Sequence, residues 1–325
     1  LVKIGDVWVW LLINNYGNWD GSLVNWEDPG AVETLASGTT LLEKDEDADN
    51  FIPGSLTVIT DQEAVVNSET NANSGSGDIE LTGLFLQAGM KPDVTNFAGD
   101  TPLLASVQFG RQDVVETLLA RGADPNLADR RQGATPLIWA STKGFTGIMN
   151  LLLANGANVN GKDEKIGMTA LMSAAVGGKI GVLTILVDKG AEVNATDRNG
   201  RTPLMWAAQY GRAAAVIFLQ EKGADPAPGD KENLTALMVA AIHGKTEVAK
   251  AILDRGVDIN AADKNGMTAL MWAARNGRKE VVQVLLEKGA DLKARDKQGK
   301  SALDLAQYYR QNHTKEMLLK AGAGE

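Results

Sequence analysis

The segment that decides the fold reads Asn-Gly-Arg-Thr-Pro-Leu-Met-Trp-Ala-Ala at residues 199–208 and returns as Asn-Gly-Met-Thr-Ala-Leu-Met-Trp-Ala-Ala at residues 265–274. Its Thr-Pro-Leu core, or a close variant, occurs seven times at spacings of 34, 34, 33, 33, 33 and 33 residues. The seven copies begin at Thr101, Thr135, Thr169, Thr202, Thr235, Thr268 and Ser301. A fixed period near 33 predicts stacked supersecondary units, each burying a face against the next.

One period, residues 197–230, shows how each unit is built. Asp-Arg-Asn-Gly at 197–200 has the composition of a tight turn and predicts a hairpin tip. Thr202 is suited to cap a first helix, and Pro203 to occupy its first position, where a missing N–H is tolerated. A second apolar helix is predicted at 213–219, and Gly223 is placed to end it.

Tip, cap, helices and stop recur in phase, and in this they resemble the ankyrin repeat family over residues 79–325. The resemblance implies an all-α fold: an ankyrin-repeat solenoid of stacked helix-turn-helix units with β-hairpin tips, preceded by a small acidic, Trp-rich N-terminal segment. The family's usual His after Thr-Pro-Leu is absent, which predicts less rigid tips because that His usually bonds between neighbouring tips. The residues in its place are Leu104, Ile138, Met172, Met205, Met238, Met271 and Asp304.

Composition divides the chain. Residues 1–80 hold 15 Asp or Glu and two Lys, a balance of −13, whereas residues 81–325 balance at +4 within a total of −9. Such asymmetry marks an interaction segment or a separate small domain. We expect an acidic, aromatic-rich segment or small domain at 1–66, a flexible Asn/Ser/Gly linker at 67–78, and the repeat array at 79–325. Within the array we expect an N-terminal half-cap at 79–96 and seven repeats at 97–325, with a C-terminal cap at 297–325.

The N-terminal segment contains a strand-like run, Val-Trp-Val-Trp-Leu-Leu-Ile at 7–13. Seven residues are too few to cross a bilayer, which needs about 20, so no membrane span is expected. The run could instead pair with another subunit, giving association through residues 1–66. The chain has no Cys and begins at Leu1, which leans toward a bacterial periplasmic or extracellular setting.

The sequence offers little chemistry. The two histidines, His243 and His313, lie 70 positions apart with no Cys to join them, so no zinc site, cofactor or enzymatic activity is expected. One weak metal pattern exists: Asp45, Asp47 and Asp49 occupy positions 1, 3 and 5 of a calcium-type loop. Leu56 stands where that loop needs a bidentate Glu, so a solvated acidic turn is the favoured interpretation.

Binding residues follow from the resemblance, because partners of the family usually meet the hairpin tips and the ends of the first helices. The first-helix ends nominate Phe109, Lys143, Tyr210, Ile242, His243, Arg275, Asn276 and Tyr309, and the tips nominate Arg130 and Arg131. Exposed aromatic and Arg side chains are typical of interface hot spots, and a basic surface favours an acidic partner. Three more tryptophans, Trp139, Trp206 and Trp272, occupy one repeat position in every second unit, with smaller residues there in the units between. This alternation predicts them mainly in the core, with part of each indole edge reaching the concave face.

These patterns predict a non-enzymatic protein–protein interaction adaptor that binds another protein through its tips and concave face, and the basic tips favour an acidic partner. The alternative is a structural subunit that associates through its N-terminal segment. Nucleic acid is not expected as a partner, because a balance of +4 spread over residues 81–325 is too weak to hold phosphates beside an acidic segment.

Overall fold

The computed structural model describes residues 2–4, 7–9, 82–83, 86, 91–95 and 99–323. The chain divides into two units, residues 1–127 and 128–325. In the first unit, strands β1 (Val2–Ile4) and β2 (Val7–Val9) pair antiparallel, with Lys3 opposite Trp8. This unit also holds helices α1 (Pro102–Gln108) and α2 (Gln112–Ala120). The strand predicted from Val7 is therefore present as far as Val9, and its remainder and the linker at 67–78 lie outside the described residues.

The second unit contains six helix pairs. Their bounds are α3 (Pro136–Lys143) and α4 (Thr146–Ala154), α5 (Ala170–Gly177) and α6 (Ile180–Asp188), α7 (Pro203–Gln209) and α8 (Ala213–Glu221), α9 (Ala236–His243) and α10 (Thr246–Leu253), α11 (Ala269–Arg275) and α12 (Lys279–Glu287), α13 (Ala302–Tyr308) and α14 (Asn312–Lys320). The expected stack of helix-turn-helix units is confirmed.

The recurring Thr or Ser starts each first helix. In all seven pairs its hydroxyl accepts the backbone N–H of the residue three positions later, at 3.2 to 3.4 Å. This bond satisfies one of the amides that a helix leaves unpaired at its N-terminus. Ser301 adds the reciprocal bond, because the Asp304 carboxylate accepts the Ser301 backbone N–H at 2.8 Å. The repeated tripeptide thus fixes where the first helices begin.

Packing in the second unit forms two layers. Each first helix contacts the first helix of the next pair, and each second helix does the same with the next second helix. Buried alanines on the first helices, such as Ala207 and Ala208 or Ala273 and Ala274, let neighbouring helices approach closely. Larger residues of the second helices, such as Leu186 and Ile252, are also fully buried. The hydrophobic core therefore runs between the two layers.

The two helices of a pair are joined by a turn that needs a left-handed residue. Six pairs place a glycine there with φ between 64° and 85°: Gly110, Gly144, Gly178, Gly211, Gly244 and Gly277. The last pair has Arg310 instead, at φ 57°. A non-glycine side chain in this region is strained by contact with its own backbone.

Candidate functional site

The hairpin tips are held by a buried aspartate. In the tip at 197–201, Oδ1 of Asp197 accepts the backbone N–H groups of Asn199 and Arg201 at 2.8 and 2.9 Å. Asp129, Asp163, Asp230, Asp263 and Asp296 fix their tips in the same way. Antiparallel bridges Lys162↔Thr169 and Ala262↔Thr268 close two of these hairpins. Each tip is therefore a preformed loop.

Successive tips are joined by backbone hydrogen bonds. The N–H groups of Lys165, Arg198, Lys231, Lys264 and Lys297 each donate to a carbonyl of the preceding tip, at 2.8 to 3.3 Å. These bonds link all six tips of the second unit. They supply a connection between neighbouring tips although the family's histidine is missing, so the loss of that side chain leaves no tip in the second unit isolated.

The three repeat tryptophans bond to the tips. The indole N–H of Trp206 donates to Oδ2 of Asp197 at 3.2 Å, and that of Trp272 to Oδ2 of Asp263 at 3.1 Å. Trp139 does the same with Asp129 at 2.8 Å. All three rings are half-buried rather than in the core, because the N–H must reach a carboxylate at the base of the tip. The rings are thus less buried than the prediction of a mainly core position implies, and each Trp joins its first helix to its tip through this bond.

The predicted tip residues lie on the surface. Arg130 and Arg131 are exposed directly after Asp129. The neighbouring tips also expose acidic residues, and Nζ of Lys264 lies 3.8 Å from the Glu232 carboxylate. The tips are thus mixed in charge rather than uniformly basic.

The predicted residues at the first-helix ends divide by exposure. Tyr210 and Tyr309, at the C-caps of α7 and α13, are 45% and 40% exposed, and in the other unit Phe109 is 65% exposed at the C-cap of α1. Lys143 and His243 are exposed as the last residues of α3 and α9. The remaining three, Ile242, Arg275 and Asn276, are half-buried.

Two arginine–aromatic clusters lie beside these turns. In the first, Arg201 lies over the Trp206 ring at 5.4 Å, and Trp206 stacks on Tyr210 with ring centres 6.3 Å apart. In the second, the Arg275 guanidinium lies between two rings, 5.0 Å from Trp272 and 4.8 Å from Tyr309. Stacking of this kind fixes large side chains in position before a partner binds. Binding then costs little further side-chain entropy.

The side chains of Arg275 and Asn276 therefore make contacts within the repeat array. Arg275 is held between its two rings, and the Asn276 amide donates to the Trp272 carbonyl at 2.8 Å. Tyr210 and Tyr309, by contrast, present exposed ring surface on the outer side of each cluster. Among the nominated residues of the second unit, these two tyrosines are the rigid aromatic groups open to a partner.

A set of basic residues escaped the sequence prediction. Lys179, Arg212, Lys245 and Arg278 are the N-cap residues of α6, α8, α10 and α12, one position after the inter-helix glycine or its equivalent. Their signal in the sequence is a Lys or Arg recurring after Gly at spacings of 33. We call these four residues the basic row.

With this geometry in place, one comparison identifies the family. The chain matches the family model for ankyrin repeats (3 copies) over residues 71–163, 161–230 and 237–324. This chain belongs to the ankyrin repeat family. No curated protein matches it. Ankyrin repeats generally mediate protein–protein interaction, and the family is typically non-enzymatic.

The pKa of His243, the last residue of α9, departs from its ordinary value. Although the residue is largely exposed, its partial burial lowers its pKa below the ordinary value of 6.5, and the positive charges of Lys245, Arg278 and Arg201 lower it further. The imidazole is consequently neutral at pH 7. It gains a positive charge beside the basic row only as the pH falls to its lowered pKa.

The metal prediction lies elsewhere in the chain. Asp45, Asp47 and Asp49 fall outside the described residues, so the calcium pattern stays a prediction. Within the part of the chain that the structure describes, no three His, Cys, Asp or Glu side chains are grouped to hold a metal ion. No helix in that part is long and apolar enough to span a membrane.

Proposed function

We propose that this ankyrin repeat protein is an adaptor that binds a partner protein along the inter-helix turns and hairpin tips of residues 128–325. The observation that carries the proposal is the pair of exposed tyrosines, Tyr210 and Tyr309, each fixed within an arginine–aromatic cluster. Rigid aromatic groups with Arg neighbours are the residues that most often dominate binding energy at protein interfaces.

The surrounding frame supports this function. The tips are tied to one another by backbone bonds, and the turns end helices that pack in two layers. A partner therefore meets side chains that are already positioned, which reduces the ordering entropy of binding. The mixed charge at the tips and the basic row beside the turns favour a partner with an acidic binding surface.

Site-specific photo-cross-linking in an extract of the native source tests the proposal. A cross-linking amino acid replaces Tyr210 or Tyr309 and, in matched controls, Ile217 or Leu319, which are 44% and 48% exposed on second helices. We expect one and the same protein to be captured from both tyrosine positions and not from the controls. Capture from the control positions alone would overturn the proposal.

A second candidate function is a structural subunit that associates through residues 1–66. The observation that favours it is the hairpin of β1 and β2, which among the described residues pair only with each other. A two-stranded ladder has outer edges on which a further strand can add. Sedimentation over a range of protein concentrations separates the two functions, since an adaptor sediments as a monomer and a subunit of this kind self-associates until residues 1–66 are deleted.

A further inference from the structure

The basic row has an unusual regularity. Its four members occupy one position in four consecutive helix pairs, and the same position carries Phe145 before the row and Gln311 after it. The row is therefore a bounded segment of four positive charges, in phase with the stacking of the helices.

Each side chain of the row is anchored in the same direction. It extends back over the inter-helix turn of the preceding pair, so close to that turn's glycine that a Cβ there would meet it; the glycines are Gly144, Gly178, Gly211 and Gly244. Lys179 Nζ donates to the Lys143 carbonyl at 2.6 Å. Arg212 and Arg278 donate through Nε to first-helix carbonyls at 2.9 and 3.1 Å. Since the arginines donate these bonds through Nε, their Nη groups are available to other acceptors.

The charge of the row is not neutralised locally. Among the described residues, no carboxylate lies within 4.0 Å of any of the four head groups. The nearest acids in sequence, Glu247 and Glu280, pair with Lys250 and Lys279 instead. The row consequently presents charge of one sign beside Tyr210 and His243.

The spacing of the row selects a ligand geometry. Neighbouring packed helices lie about 8–10 Å apart, so the charges repeat at about that interval. An extended chain advances about 3.3 Å per residue and polyproline II about 3.1 Å, so three residues cover about 9–10 Å. Polyproline II also returns every third side chain to the same face. The interval of the row thus matches every third residue of an extended peptide.

We propose that the basic row binds an extended segment of the partner protein that carries Asp or Glu at every third residue. The inference rests on the proposed adaptor function and specifies the chemistry of its partner. Carboxylates suit the row because an arginine guanidinium can donate to both oxygens of one carboxylate at once. Nucleic acid suits it less, since four charges are few for a polyanion and the chain as a whole carries −9.

Two labelled peptides of identical composition test the proposal against the full-length protein by fluorescence anisotropy. Each contains four Glu and six Pro. The in-phase peptide has Glu at positions 1, 4, 7 and 10, and the other peptide has its four Glu adjacent to one another. We expect the in-phase peptide to bind about ten-fold more tightly in low salt, and its advantage to shrink as salt rises toward about 0.5 M. Equal affinity of the two peptides, or tighter binding of an oligothymidine, would overturn the proposal.

Variants place the binding on the row. Arg212→Gln with Arg278→Gln should weaken the in-phase peptide about 2- to 25-fold, because an exposed ion pair contributes about 1.4- to 5-fold. Lys189→Gln with Lys222→Gln removes the same charge at second-helix C-caps and should leave affinity unchanged. Lys245 is the member of the row whose side chain donates to no carbonyl among the described residues, so Lys245→Gln should weaken binding about 1.4- to 5-fold without loss of such a bond.

The outcome is separable from that of the adaptor proposal. If the protein cross-linked at Tyr210 and Tyr309 binds the Arg212→Gln, Arg278→Gln variant as tightly as the unmodified chain, the adaptor function stands and the acidic-segment inference fails. If the peptides discriminate as expected but neither tyrosine captures a protein, the chemistry of the row stands and the adaptor function fails.

Discussion

Replacing Trp272 with Phe keeps an aromatic ring on the first helix and removes the indole N–H that reaches the tip. That N–H donates to Oδ2 of Asp263 at 3.1 Å, and Asp263 is buried. Oδ1 of the same carboxylate is already occupied by the backbone N–H groups of Asn265 and Met267. No other donor to Oδ2 is present among the described residues, so the substitution leaves a buried carboxylate oxygen without its partner.

The expected destabilisation follows from the class of bond. A hydrogen bond to a charged group contributes about 1.5–3 kcal/mol net, and loss of the donor alone exposes the full desolvation penalty of the acceptor. The smaller ring also loses contact area, although it keeps a face toward the Arg275 guanidinium. We therefore expect Trp272→Phe to lower the free energy of unfolding by about 2–3 kcal/mol.

Asp263→Asn provides the matched partner for a double-mutant cycle. The Asn oxygen can still accept from the tip backbone, but its NH₂ group then faces the indole N–H, donor against donor. Removing the indole in the double variant removes that conflict, so the two substitutions together should destabilise less than their sum, with a coupling of at least about 1 kcal/mol. Additive effects of the two substitutions would refute the proposed stabilising bond between the Trp272 indole and the Asp263 carboxylate.

Urea unfolding followed by circular dichroism gives these free energies, provided that the m-value is unchanged. Because repeat arrays can unfold in segments, amide hydrogen exchange of the tip at 263–267 supplies a local measurement. Trp272→Phe should accelerate exchange there. A loss below about 0.5 kcal/mol with unchanged tip exchange would show that the bond carries no stability.

Three further predictions concern single positions. Gln220 occupies a second-helix position that is Leu or Val in the other pairs, and both of its amide atoms are buried without a protein partner. Gln220→Leu should therefore raise the free energy of unfolding by about 1–2 kcal/mol, measured by urea unfolding. Arg310→Gly should raise the free energy of unfolding by about 0.5–1 kcal/mol in the same assay, because Arg310 has a φ of 57°. Asn233→Gly is the control and should not stabilise the fold. Asn tolerates the φ of 62° at that position, and its amide donates to the Ala262 carbonyl at 2.8 Å. The pKa of His243 is lower in the folded chain than in the unfolded chain, so the unfolded chain takes up the proton first as the pH falls. The stability of the fold should therefore decrease below about pH 6.5. Thermal unfolding of His243→Gln should show a weaker pH dependence.

Local features were predictable wherever one residue decides the backbone. Thr202 and Ser301 cap helices as their position before an apolar helix indicates, and Gly211 follows the first helix of its pair at positive φ. These outcomes depend on interactions within about four residues. The N-terminal domain boundaries and the nominated binding residues remain predictions. For the binding residues the reason is that no interaction with neighbouring residues determines which partner they meet.

The tryptophans show where prediction from sequence ran out. The alternation of large and small residues at one repeat position predicts Trp139, Trp206 and Trp272 mainly in the core. Their indoles instead turn to a carboxylate nine or ten residues earlier, across the cap. Whether a ring points inward or along the helix depends on how the first helix sits against its own tip, and the pattern of apolar residues does not contain that information.

The sequence alone determined the period, the helix starts and stops and the membership of the chain in a repeat family, since each follows from the conformational preference of a few neighbouring residues. Tertiary structure decided which charges are available. Lys179, Arg212, Lys245 and Arg278 are separated by a whole repeat in sequence, and only the stacking of helix pairs folds each one back over the preceding turn and aligns the four. Long-range packing sets those distances, and the surface that a partner would meet follows from them.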